Sequence, residues 1–279
     1  MEITCWGARG SIAVCGSEYV RYGGETTCLE VRTGSGELII LDAGTGIRRL
    51  GHHLAAQGKV EATLLFTHAH WDHITGFPFF SPVHDEATTL AVACCAFKPG
   101  FVSRLLEYTM AAPYFPLPLA KVKARIEYPD LCRPRFELGG LTVETIPLSH
   151  PNGGVGYKLI EKGRSFVFLT DNQLGFRHPN GVEWEAYVRF CQGVDFLVHD
   201  AEYTPEEYRR YLRYGHSSYL DALDLALEAG VGRFALHHHN QLRTDQEVDG
   251  LVEDCRQKIT EAGRNLEVTA MAVGLTVEV

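Results

Sequence analysis

The stretch Thr67-His68-Ala69-His70-Trp71-Asp72-His73 decides how the rest of the sequence is interpreted. The stretch begins at the last residue of an apolar run, 62–67, and such a run is typical of a buried β-strand. In open α/β sheets, ligands bind at the carboxyl ends of strands, and this polar cluster stands at such an end. His68 and His70 lie two residues apart, so in an extended segment both imidazoles point to one side and can hold one ion. Asp72 and His73 are expected to face a neighbouring point.

Three imidazoles and one carboxylate within six residues favour zinc, with manganese or iron also open, over magnesium or calcium. Six residues cannot complete two coordination spheres, so further ligands are expected after other apolar strands. His150 and Asp171 each follow such a run, and the triplet at 237–239 follows Arg-Phe-Ala-Leu. Spacing alone leaves open which histidine of the triplet is the ligand.

Composition limits the class of protein. The 279 residues, 45% of them hydrophobic, can form one large core, and we expect a single domain over 1–279. A formal charge of −9 argues against a broad positive surface for nucleic acid. The first residues do not resemble a signal peptide, and no run approaches the ~18 apolar residues of a membrane helix. These features predict a soluble, cytoplasmic protein.

Apolar runs alternate with helical patterns along the chain, which predicts an α/β fold. Strands are expected at 2–5, 26–33, 37–41, 62–67, 141–147, 155–160, 165–170, 195–199, 233–237 and 267–271, and helices at 45–57, 182–192, 204–213, 217–229 and 244–263. Residues 77–135 are irregular and rich in aromatic side chains, and we interpret them as an insertion that either overhangs a pocket or forms ordinary core. The eight scattered cysteines predict buried, reduced thiols. His52, His53, His84 and His178 are interpreted as surface residues.

The order HxHxDH, then His, Asp and His, resembles the metallo-β-lactamase superfamily, whose fold is a four-layer αβ/βα sandwich. Further motifs resemble the superfamily's phosphodiesterase branch, which contains tRNase Z and small cyclic-phosphate phosphodiesterases. They are CWGARGS (5–11), RYGGETTCLEV (21–31), LDAGTGIRRLG (41–51), THAHWDHITGFPFF (67–80), HPNGGVGY (150–157), LTDN (169–172), HDAEYT (199–204) and GHSS (215–218).

The resemblance implies two divalent metal ions and assigns each candidate residue to one or both of them as a ligand. One ion is expected on His68, His70 and His150, the other on Asp72, His73 and His238, with Asp171 bridging them. His238 is taken from the triplet because the branch usually has His-His-Asp-Pro there. Asn240 in place of Asp, and Glu25 where the branch usually has Asn, depart from the pattern.

Two ions about 4 Å apart can share a hydroxide that attacks a phosphodiester at neutral pH. The leaving alkoxide then needs a proton or an electrostatic partner. In the resembling branch, an acidic residue and a histidine act near the leaving group, and the matching positions are Asp200 and His216. We therefore expect Asp72, Asp200 and His216 as the catalytic residues, with capping by Ser217 and a structural Asp200 as the competing explanation. Asp42 is expected to support the metal loop as an acceptor.

Only 20 residues separate His150 from Asp171, whereas tRNase Z carries a long basic arm in this interval. The short interval predicts a small, including a cyclic, phosphodiester substrate and argues against tRNA. A lactonase or thioesterase stays open, since the same hydroxide attacks carbonyl carbon. A non-catalytic metal sensor with the same fold also stays open, and an oxygen-reducing di-iron protein ranks last. The sequence does not decide whether the chain forms a homo-oligomer.

Overall fold

A computed structural model describes residues 1–94, 100–131 and 133–279, and within them fourteen strands form two sheets. The strands are β1 (Glu2–Gly7), β2 (Cys28–Arg32), β3 (Leu38–Leu41), β4 (Glu61–Phe66), β5 (Thr89–Cys94), β6 (Arg125–Glu127), β7 (Arg135–Leu138), β8 (Leu141–Pro147), β9 (Val155–Glu161), β10 (Arg164–Leu169), β11 (Phe196–Asp200), β12 (Arg233–His237), β13 (Glu267–Ala270) and β14 (Thr276–Glu278). The first sheet has the order β14-β1-β2-β3-β4-β5-β6, and the second has the order β13-β12-β11-β10-β9-β8-β7. Every predicted strand overlaps an observed one, while β5, β6, β7 and β14 were not predicted.

Helices connect the strands and cover the outer faces of the sheets. In the described ranges they are α1 (Ile47–Ala55), α2 (Trp71–Ile74), α3 (Phe101–Thr109), α4 (Trp184–Cys191), α5 (Pro205–Arg210), α6 (Tyr219–Ala229) and α7 (Asp245–Glu261). Short 3₁₀ turns lie at Ser17–Tyr19, Phe77–Phe79, Ser81–His84 and Leu119–Lys121. The five predicted helices all overlap observed ones. None of the described helices is both long and apolar enough to span a membrane.

Three apolar clusters show how the layers stack. One lies between the sheets and joins residues such as Leu41 and Leu65 of the first sheet to Phe166 and Phe196 of the second. A second packs the outer face of the first sheet against α1, and the third packs the outer face of the second sheet against α4, α6 and α7. This arrangement of helices, sheet, sheet and helices confirms the predicted four-layer α/β sandwich.

Strand β4 shows why the sequence folds in this way. Leu64 and Phe66 belong to the cluster under the helices, whereas Leu65 belongs to the cluster between the sheets. Successive side chains of a strand point to opposite faces of the sheet, so a continuous apolar run allows both faces of the strand to be buried. The polar residues that follow Phe66 are thereby placed at the end of a fully buried strand.

The carboxyl ends of several strands meet at one edge of the sandwich. Strands β10, β11 and β12 are parallel neighbours, and Leu169, His199 and Leu236 stand in register across them. Strand β8 runs in the same direction as β10, because each is antiparallel to β9. The residues that follow β8, β10, β11 and β12 therefore all lie at this edge of the second sheet.

Residues 77–135, interpreted from the sequence as an irregular insertion, contribute β5 and β6 to the first sheet as well as α3. Phe97, one of their aromatic residues, lies outside the described residues. The exposed Phe79 contacts Phe115, with ring centroids 5.5 Å apart. Part of this region is therefore sheet and core.

The cysteine prediction is correct for most of the thiols that the structure describes. Cys5, Cys28, Cys191 and Cys255 are buried and free of disulfides, Cys94 is also buried, and burial raises the pKa of the Cys191 thiol to about 12. Cys15 is exposed, so the expectation of burial is wrong there. It lies in the loop between β1 and β2, outside the three apolar clusters. Cys95 and Cys132 lie outside the described residues.

Candidate metal centre

The end of β4 and the single turn of α2 place the first donors. His70 is the N-cap of α2, and its extended backbone lets the chain turn so that Asp72 and His73 are buried while Trp71 stays 67% exposed. Gly44 packs against this turn, where an added Cβ would lie 2.2 Å from the carbonyl oxygen of Asp72. This turn therefore directs the side chains of Asp72 and His73 toward the interior.

The first donor group consists of His68, His70, His150 and Asp171. One ligand atom from each lies within 4.8 Å of the others. Nε2 of His150 is 3.0 Å from Nδ1 of His70. Oδ2 of Asp171 is 3.6 Å from Nε2 of His68 and 3.7 Å from Nε2 of His150. Three imidazoles and one carboxylate oxygen thus converge on one point.

The second donor group consists of Asp72, His73, Asp171 and His238, again within 4.8 Å. Oδ1 of Asp171 is 3.1 Å from Nε2 of His73 and 3.3 Å from Nε2 of His238. Oδ2 of Asp72 lies 3.2 Å from Nε2 of His238. Asp171 therefore turns one carboxylate oxygen to each group.

Hydrogen bonds on the far side of three rings fix their orientation. His73 donates from Nδ1 to Oδ2 of Asp42 at 2.8 Å, which is the supporting contact expected of Asp42. His150 donates from Nδ1 to the carbonyl oxygen of Gly215 at 2.9 Å, and His238 donates from Nδ1 to Glu202 at 3.0 Å. Such bonds set the tautomer that leaves Nε2 as the ligand atom.

Two observations indicate that these residues fit a divalent cation. Nε2 of His68 and Nε2 of His73 are buried, and within the described residues neither makes a hydrogen bond of good geometry, which is costly for a polar atom unless something else binds it. Asp42, Asp171 and His238 also have left-handed backbone, with φ of 63°, 51° and 58°. Non-glycine residues rarely adopt this conformation, and it concentrates at functional sites. Imidazole and carboxylate donors suit a borderline metal such as zinc.

Electrostatics divides the histidines into two kinds. Burial lowers the pKa of His68 well below its ordinary value and lowers the pKa of His150 to about 3, so both rings are neutral and keep a lone pair. Burial also opposes charge on His73 and His238, but the carboxylates around them outweigh it and raise the pKa of each ring well above normal. Positive charge is thus favoured between these carboxylates.

Burial alone would raise the pKa of Asp171. The imidazoles of His238, His73 and His68 outweigh that effect and hold the pKa of Asp171 well below its ordinary range. The carboxylate that faces both groups is therefore ionised, as a bridging ligand must be.

Asp200 and His216 form a pair at the rim of the donors. Oδ2 of Asp200, the last residue of β11, accepts from Nδ1 of His216 at 2.7 Å. Burial opposes charge on His216, but Glu202 and Asp200 raise the pKa of this ring to about 9. Asp171, Asp200, His216 and His238 also form a third group with ligand atoms within 4.8 Å, so the pair adjoins the bridging carboxylate.

Ser217 does not cap α6. The side chain of Ser218 accepts from the backbone N–H of Asp221, whereas Ser217 donates to the carbonyl oxygen of Asn172 at 2.6 Å. Ser217 therefore ties the start of α6 to the loop after β10. The expectation that Ser217 could cap this helix is wrong by one residue.

Only one histidine of the triplet enters the cluster. The left-handed turn after β12 directs His238 to the donors. Nε2 of His239 hydrogen-bonds the carbonyl oxygen of Met271 at 2.8 Å, and the ring of His237 packs edge-on against Phe168 at 5.3 Å between centroids. The geometry favours the register that the resemblance implied.

Glu202 was missed in the sequence. It is buried, it contacts His238 and His216 at 3.0 and 3.4 Å, and it accepts from the side chain of Asn240 at 3.0 Å. It follows Asp200 by two residues, a spacing that places two side chains of an extended segment on one side. That spacing was the available signal.

His178 is buried, so the interpretation of this residue as a surface histidine is wrong. Its Nε2 donates to Oε1 of Gln173 at 2.9 Å, and its backbone N–H donates to Oγ of Ser149 at 2.9 Å. The loop after β10 thus folds back against the segment that carries His150. His52, His53 and His84 are exposed as expected.

Comparison with known proteins shows the family of this chain. The family described as "Beta-lactamase superfamily domain" matches residues 38–239, which include every donor of the two groups. The ribonuclease Z of Exiguobacterium sibiricum is 30% identical over 247 residues, and the match covers 75% of this chain and 81% of that protein.

Two solved structures share the fold over nearly their whole length. Unliganded yeast PDE1 superposes with a TM-score of 0.72 at 15% identity, covering 100% of this chain and 99% of that one. The short form of human tRNase Z superposes with a TM-score of 0.62 at 17% identity, also covering 100% and 99%. The chain therefore belongs to the β-lactamase superfamily, and its resemblance to the phosphodiesterase branch of that superfamily is confirmed.

Proposed function

We propose that this metal-dependent hydrolase is a phosphodiesterase that cleaves a small, including a cyclic, phosphodiester with two divalent ions, zinc first among them. One observation carries the proposal. Asp171 turns Oδ2 to one donor group and Oδ1 to the other, and the Asp200–His216 pair adjoins it. This is the arrangement that a two-metal phosphodiester hydrolase needs.

The chain's own residues would divide the work. His68, His70 and His150 would hold one ion, and Asp72, His73 and His238 would hold the other. When bound, divalent ions supply Lewis-acid stabilisation to the phosphoryl oxygens and activate water as a nucleophile at neutral pH.

The Asp200–His216 pair supports the departure of the leaving group. Asp200 accepts from Nδ1 of His216, which orients the ring and leaves Nε2 to give a proton to the leaving alkoxide. The buried carboxylate of Glu202 contacts Nδ1 of both His216 and His238 and so helps to orient the two rings. Asp200 and Glu202 are therefore positioning residues, and His216 is the acid.

The shape of the interval between His150 and Asp171 supports a small substrate. Strands β9 and β10 form a hairpin closed by Lys162 and Gly163, whose φ values are 50° and 82°. This two-residue turn has no basic extension with which to grip a folded RNA. The 30% identity to a protein named ribonuclease Z keeps precursor tRNA as the second candidate substrate.

A panel of substrates tests the proposal with the protein loaded with zinc or manganese. It contains bis(p-nitrophenyl) phosphate, 2′,3′-cyclic nucleotides, precursor tRNA, an acyl lactone and a thioester. Cleavage of the first two without cleavage of tRNA is the expected result. Lactone or thioester turnover without phosphodiesterase activity would overturn it, and loading without any turnover would favour a metal sensor.

A further inference from the structure

A cavity of about 410 Å³ opens directly beside the candidate metal centre. Ser11 and Glu202 form its inner wall, and both contact donors. The backbone N–H of Ser11 donates to Oδ2 of Asp72 at 2.8 Å, and Oε2 of Glu202 is 3.0 Å from Nδ1 of His238. The cavity therefore adjoins the donors through these two residues, within the reach of a group attached to a phosphate bound there.

Three tyrosine rings in contact with one another lead from His216 to the protein surface. Tyr203 is buried and meets His216 edge-on, with centroids 5.8 Å apart. Tyr211 stacks on Tyr203 at 5.3 Å and 23°, and Tyr214 meets Tyr211 edge-on at 5.7 Å. Tyr211 is 43% exposed and Tyr214 is 65% exposed, and both line the cavity. The series of rings thus ends in two that are open to a ligand.

These two tyrosines lie in an exposed segment of unusual composition, Arg-Arg-Tyr-Leu-Arg-Tyr at 209–214, which we name the Arg-Tyr segment. All six of its residues are exposed, in a chain whose formal charge is −9. Each tyrosine offers an apolar ring face and a polar hydroxyl, which together suit contact with a ligand.

The three glutamates that line the cavity each make a contact within the protein. Glu207 pairs with Arg243, Glu247 accepts from the backbone N–H of Thr244, and Glu202 holds His238. Arg210 also lines the cavity and has no ion pair within the described ranges 1–94, 100–131 and 133–279. Arg210 is therefore a cation at the cavity that is free to meet an anionic group of a ligand.

We propose that this cavity is a nucleoside subsite, in which Tyr211 and Tyr214 stack on the base attached to the scissile phosphodiester. The inference rests on the proposed phosphodiesterase function and names its substrate class. A volume of about 410 Å³ falls within the range of small-ligand sites. Every nucleobase has an aromatic face, so stacking binds bases with little sequence preference. The base belongs either to a free nucleotide or to the end of a single-stranded RNA.

The test compares two esters that release the same p-nitrophenolate, thymidine 5′-(p-nitrophenyl phosphate) and methyl p-nitrophenyl phosphate. Tyr211→Leu and Tyr214→Leu should each lower kcat/KM for the nucleoside ester by roughly 5- to 100-fold, mainly through KM, because stacking contributes about 1–3 kcal/mol per base. The methyl ester should be unaffected. Both tyrosines are exposed, so these variants should fold.

Matched controls come from the same segment. Tyr211→Phe keeps the ring and should restore the nucleoside preference. Leu212→Ala removes an exposed apolar side chain that does not line the cavity, and it should leave both esters unchanged. Equal losses on both esters, or an unchanged ratio in both leucine variants, would overturn the subsite.

A binding measurement separates this inference from the proposed function. If the wild-type protein hydrolyses neither ester, the phosphodiesterase proposal fails, and calorimetry of the metal-free protein with uridine 5′-monophosphate and ribose 5-phosphate still tests the subsite. Tighter binding of the nucleotide, lost in Tyr211→Leu, supports the subsite, whereas equal binding overturns it. A short single-stranded RNA that binds at least tenfold tighter than the mononucleotide supports an RNA end as the source, and equal affinity supports a free nucleotide.

Discussion

The buried donor groups and the Arg-Tyr segment lie side by side but are built in opposite ways. Among the donors only His70 is partly exposed, and Asp171 and His238 have left-handed backbone. All six residues of the segment at 209–214 are exposed. The proposed chemistry thus lies among buried side chains, and the proposed recognition lies where side chains can change without disturbing the fold. Substitutions in the two regions should therefore differ greatly in effect.

The largest effect is expected from Asp171→Asn. Asparagine tolerates left-handed backbone, so the fold is kept while the charge that faces both donor groups is lost. Phosphodiester cleavage should fall by about 1000-fold or more, since the loss of one electrostatic stabiliser commonly costs about 100- to 1000-fold and weaker metal binding adds to that loss. Metal content by mass spectrometry should fall as well. Full metal content with activity near wild type would show that Asp171 is not the bridge.

His216→Ala should lower cleavage of a 2′,3′-cyclic nucleotide by roughly 100- to 10,000-fold, because its alkoxide leaving group needs a proton. The loss should be much smaller with bis(p-nitrophenyl) phosphate, since p-nitrophenolate is a stable anion. Metal content should not change. Equal losses on both substrates would contradict the acid role, and loss of metal would place His216 among the ligands.

Asp42→Asn should weaken metal binding by roughly 10- to 100-fold, as is usual for residues that orient a ligand. Asn fits the φ of 63° at this position, so the change tests the hydrogen bond to His73 and not the backbone. Competition with a chelator measures the affinity. Unchanged affinity would mean that the carboxylate of Asp42 matters only for the hydrogen bonds it accepts from the backbone N–H and Oγ1 of Thr67, at 2.7 and 2.8 Å.

The smallest effect is expected from Arg210→Gln in the Arg-Tyr segment. An exposed charge contributes little, so KM for an anionic nucleotide substrate should rise only about two- to fivefold. Salt screens exposed charges, and the difference should disappear at high ionic strength. A difference that persists in high salt would place Arg210 in a buried contact with the substrate.

The sequence was most informative where one segment carried both a strand and its ligands. The apolar run at 62–67 and the residues at 68–73 predicted β4 and four donors, because burial on both faces and metal chemistry each leave a strong pattern. The triplet at 237–239 was different. Its ligand depends on the turn after His237, and a left-handed φ at a histidine leaves no mark in the residue types.

Other features could not be predicted because their sequence pattern is too short or is also typical of a different structure. Strands β6 and β14 have three residues each, too few for a periodicity to be seen. Residues 204–213 were predicted as one helix, but α5 ends at Arg210 and leaves Tyr211 outside it, near Tyr214, which lay beyond the predicted helix. Aromatic residues at helical spacing usually indicate core, so the exposure of the two tyrosines required the structure.

The left-handed backbone of Asp42, Asp171 and His238 has a consequence for how the protein can change over time. Each such residue costs on the order of 1 kcal/mol relative to glycine, so the fold is less stable than it would be without its function. A lineage that no longer needed hydrolysis would gain by placing glycine at these three positions. Among relatives, glycine there would accordingly mark proteins that have exchanged activity for stability.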